Sequence, residues 1–231
     1  MNQPSVIAID GPSGAGKGTV ARAIAARLRW RHVDTGAMYR AVAWKAIRER
    51  LALDDGPAVA RLADRSRFEL SGPRILIDGE DVTVEIRNAD MDRAAAAVAR
   101  LEDVRASLVR RQQELAREGS VVMEGRDIGT VVFPGAPVKI YLDAEPSERA
   151  ARRAHDRRHQ RSATSGVEEI RRELDERDQS DRTRTASPLK IADDAVRIDT
   201  TGVPVEEVVR RVLQVIRERL PGSRRQFDGL A

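Results

Sequence analysis

Short apolar runs alternate along the chain with longer stretches whose apolar residues recur every three or four positions. Residues 5–10 (SVIAID) form an apolar run ending in an acid, the pattern of a strand buried on both faces. Val20, Ile24 and Leu28 follow at four-residue spacing and predict a helix. His32 and Val33 predict a second short strand. Asp34–Arg40 then opens a helix running to about Leu51, which Asp54-Asp55-Gly56-Pro57 breaks. A short helix is predicted around residues 58–65. Residues 94–99 are rich in alanine, the best helix former, and Leu101, Val104, Leu108 and Leu115 continue at helical spacing. Val121–Glu124 and Val138–Leu142 predict strands, and residues 146–161 an Arg-rich helix followed by a flexible break at Ser162–Gly166. Glu168–Asp181 predicts a helix with Ile170 and Leu174 turned inward, and Ala195–Ile198 a last strand. Val205, Val208, Val209, Val212, Leu213, Ile216 and Leu220 make one apolar stripe on a final amphipathic helix. Residues 221–231 read as a disordered tail.

Strands alternating with helices predict an α/β fold, a parallel sheet flanked by helices. Residues 67–87 break the alternation. An Asp78-Gly79 turn and alternating Val82, Val84 and Ile86 predict a small antiparallel hairpin or three-stranded insertion, with an irregular surface loop as the alternative. No internal repeat or clear domain boundary interrupts the chain, so residues 1–231 read as one unit. Its core is expected at 1–35, 101–150 and 185–220, with an inserted lobe at about 36–100.

Composition sharpens this picture. The 231 residues are 41% hydrophobic, enough for a real core, but only 3% aromatic, so the core must be built of Ala, Val, Leu and Ile. With no cysteine there are no disulfides and no thiolate metal site. The N-terminus carries no basic-then-apolar leader, and no apolar run approaches the roughly 20 residues that span a bilayer. The protein is therefore expected to be soluble and cytoplasmic. The net charge is a modest +4. Of 41 basic residues only Lys17, Lys45, Lys139 and Lys190 are lysines, so a lysine inside a glycine loop stands out while any one arginine is a weak clue.

That loop is Gly11-Pro12-Ser13-Gly14-Ala15-Gly16-Lys17-Gly18-Thr19. It follows a buried strand and precedes a helix, the context of a phosphate-binding loop. Glycines let the chain curl until its amides point at phosphate oxygens, the helix start adds positive potential, and Lys17 adds a point charge. Gly18 stands where such loops usually carry the Ser or Thr that holds Mg²⁺. The metal would then be held by nucleotide phosphates and waters. Asp10 and Glu124 end strands nearby and are candidates to orient those waters; the alternative is a cap or loop role for each.

Three further stretches suit a second substrate. Asp34–Arg40 (DTGAMYR) opens a helix with a hydroxyl at Thr35 and a guanidinium fork at Arg40, the alternative being a plain cap with a core Tyr39. In Glu124–Pro134, glycines flank Arg126 and Asp127 at the end of a strand, where α/β sheets bind ligands; a local salt bridge is the alternative. Arg177, Asp181 and Arg184 share one helix face, which taken alone also suits a surface ion pair.

Together, GPSGAGKGT, DTGAMYR, VRxxLxxRQ (Val104–Gln112), GRDIGTVVFP with the later KIYLD, and ERDQSDRTR resemble the bacterial cytidylate kinases, over residues 9 to about 190. In the nucleoside monophosphate kinases Gly follows the loop lysine routinely. The resemblance implies a P-loop kinase fold with a monophosphate-binding lobe carrying the β insertion, and phosphate transfer from ATP to CMP or dCMP, with Mg²⁺, in pyrimidine nucleotide metabolism. It implies that residues 11–19 bind ATP. Thr35, Arg40 and Arg126 would hold the acceptor phosphate beside Tyr39. Arg105 and Asp127 would read cytosine, with Arg184 beside them, and Arg177 and Asp181 would touch the ribose. Lys17, Arg126 and Arg177 are the expected catalytic charges. One departure is Ala96, where family members often carry a base-contacting Ser, which bears on CMP over UMP preference.

The acceptor would be a phosphate oxygen, ionised near neutrality, so no general base is needed and His32, His155 and His159 have no such role. Catalysis would be positioning and charge neutralisation. The basic stretch 149–161 and the break after it suggest a lid at about 152–166, with Arg152, Arg157, Arg158 or Arg161 closing on ATP. Two rival readings remain: another P-loop small-molecule kinase, of UMP or shikimate type, and a nucleotide-dependent RNA-binding protein. Low charge and scarce aromatics speak against the second. Nucleic-acid and membrane partners are not expected, and a monomer is.

Overall fold

A computed structural model describes residues 4–72, 74–155 and 166–220. Five parallel strands, β1 (Val6–Asp10), β2 (Arg31–Asp34), β6 (Val121–Gly125), β7 (Val138–Asp143) and β8 (Val196–Asp199), form one sheet in the order β2-β6-β1-β7-β8. Every residue of β1 and β6 is buried, as expected of strands covered on both faces.

Side chains alternate across these strands and feed two cores. Val6, Ala8, Val121 and Met123 face α2 (Thr35–Arg48), α3 (Gly56–Arg65), α4 (Ala89–Val98) and α5 (Glu102–Arg117). Ile7, Ile9 and Val122 face α1 (Lys17–Leu28) and α8 (Val205–Arg219), whose Val208, Val209, Val212 and Ile216 are the predicted stripe. The 67–87 insertion contains a three-stranded antiparallel sheet of β3 (Phe68–Ser71), β4 (Arg74–Ile77) and β5 (Glu80–Asp81), while the alternating Val82, Val84 and Ile86 fall after it, with residues 83–86 in a turn. Ile75, Ile77, Val82 and Ile86 pack with Ala37 and Ala41 of α2, so the insertion buttresses that helix.

The structure corrects two expectations. The helical spacing through 94–115 belongs to two helices: α4 ends at Val98, and Leu101 stands as the N-cap of α5. The Arg-rich helix, α6 (Pro146–His155), is not wholly a lid: Arg149 is buried and donates to Ser13 O at 3.0 Å. The expected lid residues Arg157, Arg158 and Arg161, His159 and the 221–231 tail lie outside the described residues. No described helix is long and apolar enough to cross a membrane.

Candidate active site

The loop after β1 is made possible by close packing. Gly11 has φ +147°, and a Cβ there would lie 2.0 Å from the Leu142 carbonyl oxygen of β7, so only glycine lets the loop leave the sheet. Asp178 of α7 (Val167–Thr183) supports the loop from below, accepting from Ser13 N at 3.2 Å and from buried Arg149. Lys17 is buried at the start of α1 and donates to Pro12 O at 2.7 Å. Burial first, and the neighbouring Arg126 second, lower its pKa to about 7.

Gly18 has a physical reason in the packing. A Cβ at this position would come within 2.9 Å of Glu124 Oε1, so a Ser or Thr would require that carboxylate, which His32 Nε2 holds at 2.9 Å, to shift. The hard oxygen donors of Glu124 at the cavity suit Mg²⁺ reached through water. Asp10 differs. Its oxygens accept from Ile128 N at 2.9 Å and Gly129 N at 2.8 Å, so its contacts are those of a loop anchor. It fixes a wide π turn at Ile128–Val132 that the sequence pattern does not reveal, and burial raises its pKa to about 6.

The residues expected to meet a second substrate converge opposite the loop. Thr35 donates to Glu124 O at 2.7 Å, and Arg40 pairs with the α2 N-cap Asp34 at 3.2 Å. Arg126 bridges the two sides, giving Nη2 to Ser13 Oγ at 2.7 Å and Nε to Asp181 at 2.9 Å. Arg105 pairs with Asp127 and lies 5.5 Å from the Tyr39 ring centroid. Arg184 sits 3.1 Å from Asp181 and 3.9 Å from Asp127. The ion pairs at Asp127 and Asp181 are buried, not surface pairs. Burial works to raise the Asp181 pKa, but Arg126, Arg184 and Arg177 together hold it below the usual carboxylate range. Burial pushes the Tyr39 hydroxyl up to about 12, so it stays protonated.

Lys17, Gly18 and Thr19 line one cavity of about 780 Å³ with Thr35, Tyr39, Arg40, Arg105, Arg126, Asp127, Arg177, Asp181 and Arg184. Among its lining residues, Tyr39 Oη, Arg40 Nε, Arg105 Nε and Arg184 Nη2 are buried without a hydrogen-bond partner in the protein. Such atoms are costly unless something polar meets them. Arg152, the one lid candidate among the described residues, also lines the cavity, and its Nη1 lies 2.9 Å from Thr200 Oγ1. Ala96 lines it too. Sequence reasoning missed Asp92, Arg149 and Asp178. All three are buried ion-pair members, and no local spacing distinguishes them from surface charges.

The cytidylate kinase family model matches residues 7–218. The chain belongs to the cytidylate kinase family. A cytidylate kinase of Pelotomaculum thermopropionicum is 48% identical over 218 residues, covering 92% of this chain and 96% of its own length. One from Geobacillus sp. (strain WCH70) is 46% identical over 218 residues, covering 93% and 97%. A solved protein from Thermus thermophilus shares the fold, with a TM-score of 0.50 at 17% identity over 95% of this chain and 99% of that one. Membership of the cytidylate kinase family does not favour the shikimate-type and RNA-binding alternatives.

Proposed function

We propose that the protein is an ATP-dependent phosphotransferase that moves the γ-phosphoryl group of ATP to CMP or dCMP, giving ADP and CDP or dCDP. The observation that carries the reading is one cavity lined on one side by a phosphate loop and on the other by Arg40, Arg105, Arg126, Arg177 and Arg184. Residues 11–19 grip the donor phosphates through main-chain amides, and Lys17 neutralises charge at the transferred group. Thr35, Arg40 and Arg126 hold the acceptor phosphate. Arg126 also touches Ser13 of the donor loop, so one guanidinium spans the line of transfer.

Asp127 accepts from the cytosine amino group, while Arg105 and Arg184 serve its ring acceptors. Uracil would leave that carboxylate without a donor, a penalty of about 1–3 kcal/mol. Arg177 and Asp181 meet the ribose. Mg²⁺ supplies charge neutralisation on the phosphates when bound, and Glu124 would be the residue to hold it, through water. The acceptor oxygen is already ionised near neutrality, so no residue need take its proton. His32, the one part-buried histidine among the described residues, is engaged with Glu124. A coupled ADP-release assay across CMP, dCMP, UMP and AMP tests the reading. CMP and dCMP should be best, with UMP roughly ten- to a hundredfold poorer. Equal rates with every acceptor would remove the cytosine-reading roles.

A further inference from the structure

A buried carboxylate outside every motif lies among the acceptor arginines. Asp92 is on the first turn of α4, only 9% exposed, and lines the cavity. Among the described residues, guanidinium groups from three other helices reach it. Arg177 Nη1 of α7 is 3.1 Å from Oδ1, Arg40 Nη1 of α2 is 3.8 Å from the same oxygen, and Arg153 Nη2 of α6 bonds Oδ2. Ala96, one helical turn further along α4, lines the same cavity.

Arg40 and Arg177 are two of the residues assigned above to the acceptor. A phosphate monoester seeks the same N–H donors as a carboxylate, so Asp92 and the acceptor's phosphate compete for them. The carboxylate has two opposed effects. It holds two cations in one place against their mutual repulsion, which aims them into the cavity. It also puts negative charge beside a dianion, which weakens the complex before transfer. Arg153 shares the carboxylate without belonging to the acceptor set, and so damps that charge.

We propose that Asp92 is a positioning residue that sets acceptor affinity: it orients Arg40 and Arg177 for transfer while loosening the ground-state grip on the monophosphate, and Arg153 tunes it. A weaker ground-state complex with an intact transition state favours turnover. The inference deepens the acceptor assignment and rests on it.

The test is steady-state kinetics on the full chain, with calorimetric CMP binding. Asp92→Asn keeps the shape and removes the charge. Its KM and Kd for CMP should fall about fivefold and its kcat about tenfold, while the KM for ATP stays within about twofold. Arg153→Gln unmasks the carboxylate, so its CMP KM should rise about threefold. Because Arg153 acts through Asp92, the double variant should match Asp92→Asn rather than sum the two effects. A merely structural Asp92 would raise the CMP KM and lower stability in the single variant. An unchanged or higher CMP KM in Asp92→Asn overturns the inference. Should that variant not fold, an unchanged CMP KM in Arg153→Gln overturns it instead. If the wild-type enzyme turns over no CMP, the acceptor assignment itself falls. If it does and Asp92→Asn leaves CMP affinity as it was, only the role of Asp92 falls.

Discussion

The two walls of the cavity are built in different ways. The donor wall is main chain: a curl after β1 with one lysine, whose ammonium donates to the carbonyl of Pro12, five residues away. The acceptor wall is side chain: guanidinium and carboxylate groups from several elements, each already paired with another. Arg105 meets Asp127 from 22 residues away and Arg126 meets Asp181 from 55. The donor wall is thus held in shape by the sheet beneath it and by Asp178 and Arg149, neither of which is assigned to a ligand, and its lysine is bonded to main chain. The acceptor wall is held in shape by the charges that would bind the ligand. Function and stability should therefore separate on the first wall and coincide on the second.

The largest effect that could break this contrast is expected at Asp127. Its pair with Arg105 is nearly closed to solvent, with side chains 8% and 4% exposed. Truncation leaves a buried guanidinium without its main partner, a loss of about 3–5 kcal/mol. Asp127→Ala should lose stability of that order in urea denaturation and, in the soluble fraction, about tenfold of the preference for CMP over UMP. A variant as stable as the wild type would show that the acceptor wall stands without its ion pairs.

The contrast also explains what could be read in the sequence. A main-chain site writes itself as glycines at fixed spacing, because Gly11 must pass the Leu142 carbonyl whatever the surroundings. The strand before the loop and the α8 stripe were legible for a similar local reason: periodicity reports burial. The acceptor wall was legible only through resemblance to a family, since Arg105, Asp127 and Arg184 are ordinary charges in an arginine-rich chain until folding brings them together. Asp92 and Arg149 had no such help, and Asp178, though inside the ERDQSDRTR motif, was given no role by it. The split between α4 and α5 was hidden because Leu101 keeps the helical spacing across the break, although its backbone is extended as an N-cap. The role of Gly18 emerges only when Glu124 is seen against it.

The next effect falls on the donor wall and should have the opposite character. Lys17→Met removes the charge at the transferred group, and kcat should drop at least 10²-fold, about 2.7 kcal/mol of transition-state stabilisation. The same change removes an ammonium that burial and Arg126 both disfavour. Stability should rise by roughly 1 kcal/mol, the exchange of stability for activity expected where a charge is held in an unfavourable place for function. Loss of both activity and stability in this variant would mean that the two walls are built alike.

The smallest effect sharpens the contrast without a large change in rate. With its pKa near 7, Lys17 is mostly neutral at pH 8, whereas in the unfolded chain it titrates near 10.5. Between those values the unfolded chain binds more protons than the folded one, so this lysine adds stability as pH rises from about 7 toward 10 and adds none below. A triphosphate beside the ammonium favours the charged form and pulls the pKa back up. ATP binding at pH 8 should therefore take up close to one proton, roughly 0.9, and much less at pH 6, where Lys17 is already charged. Calorimetry in buffers of different ionisation enthalpy reads that number directly, and Lys17→Met should reduce it to near zero. Uptake that is the same at both pH values, or that survives the substitution, would place the proton on another group and leave the donor wall with a lysine that is charged throughout.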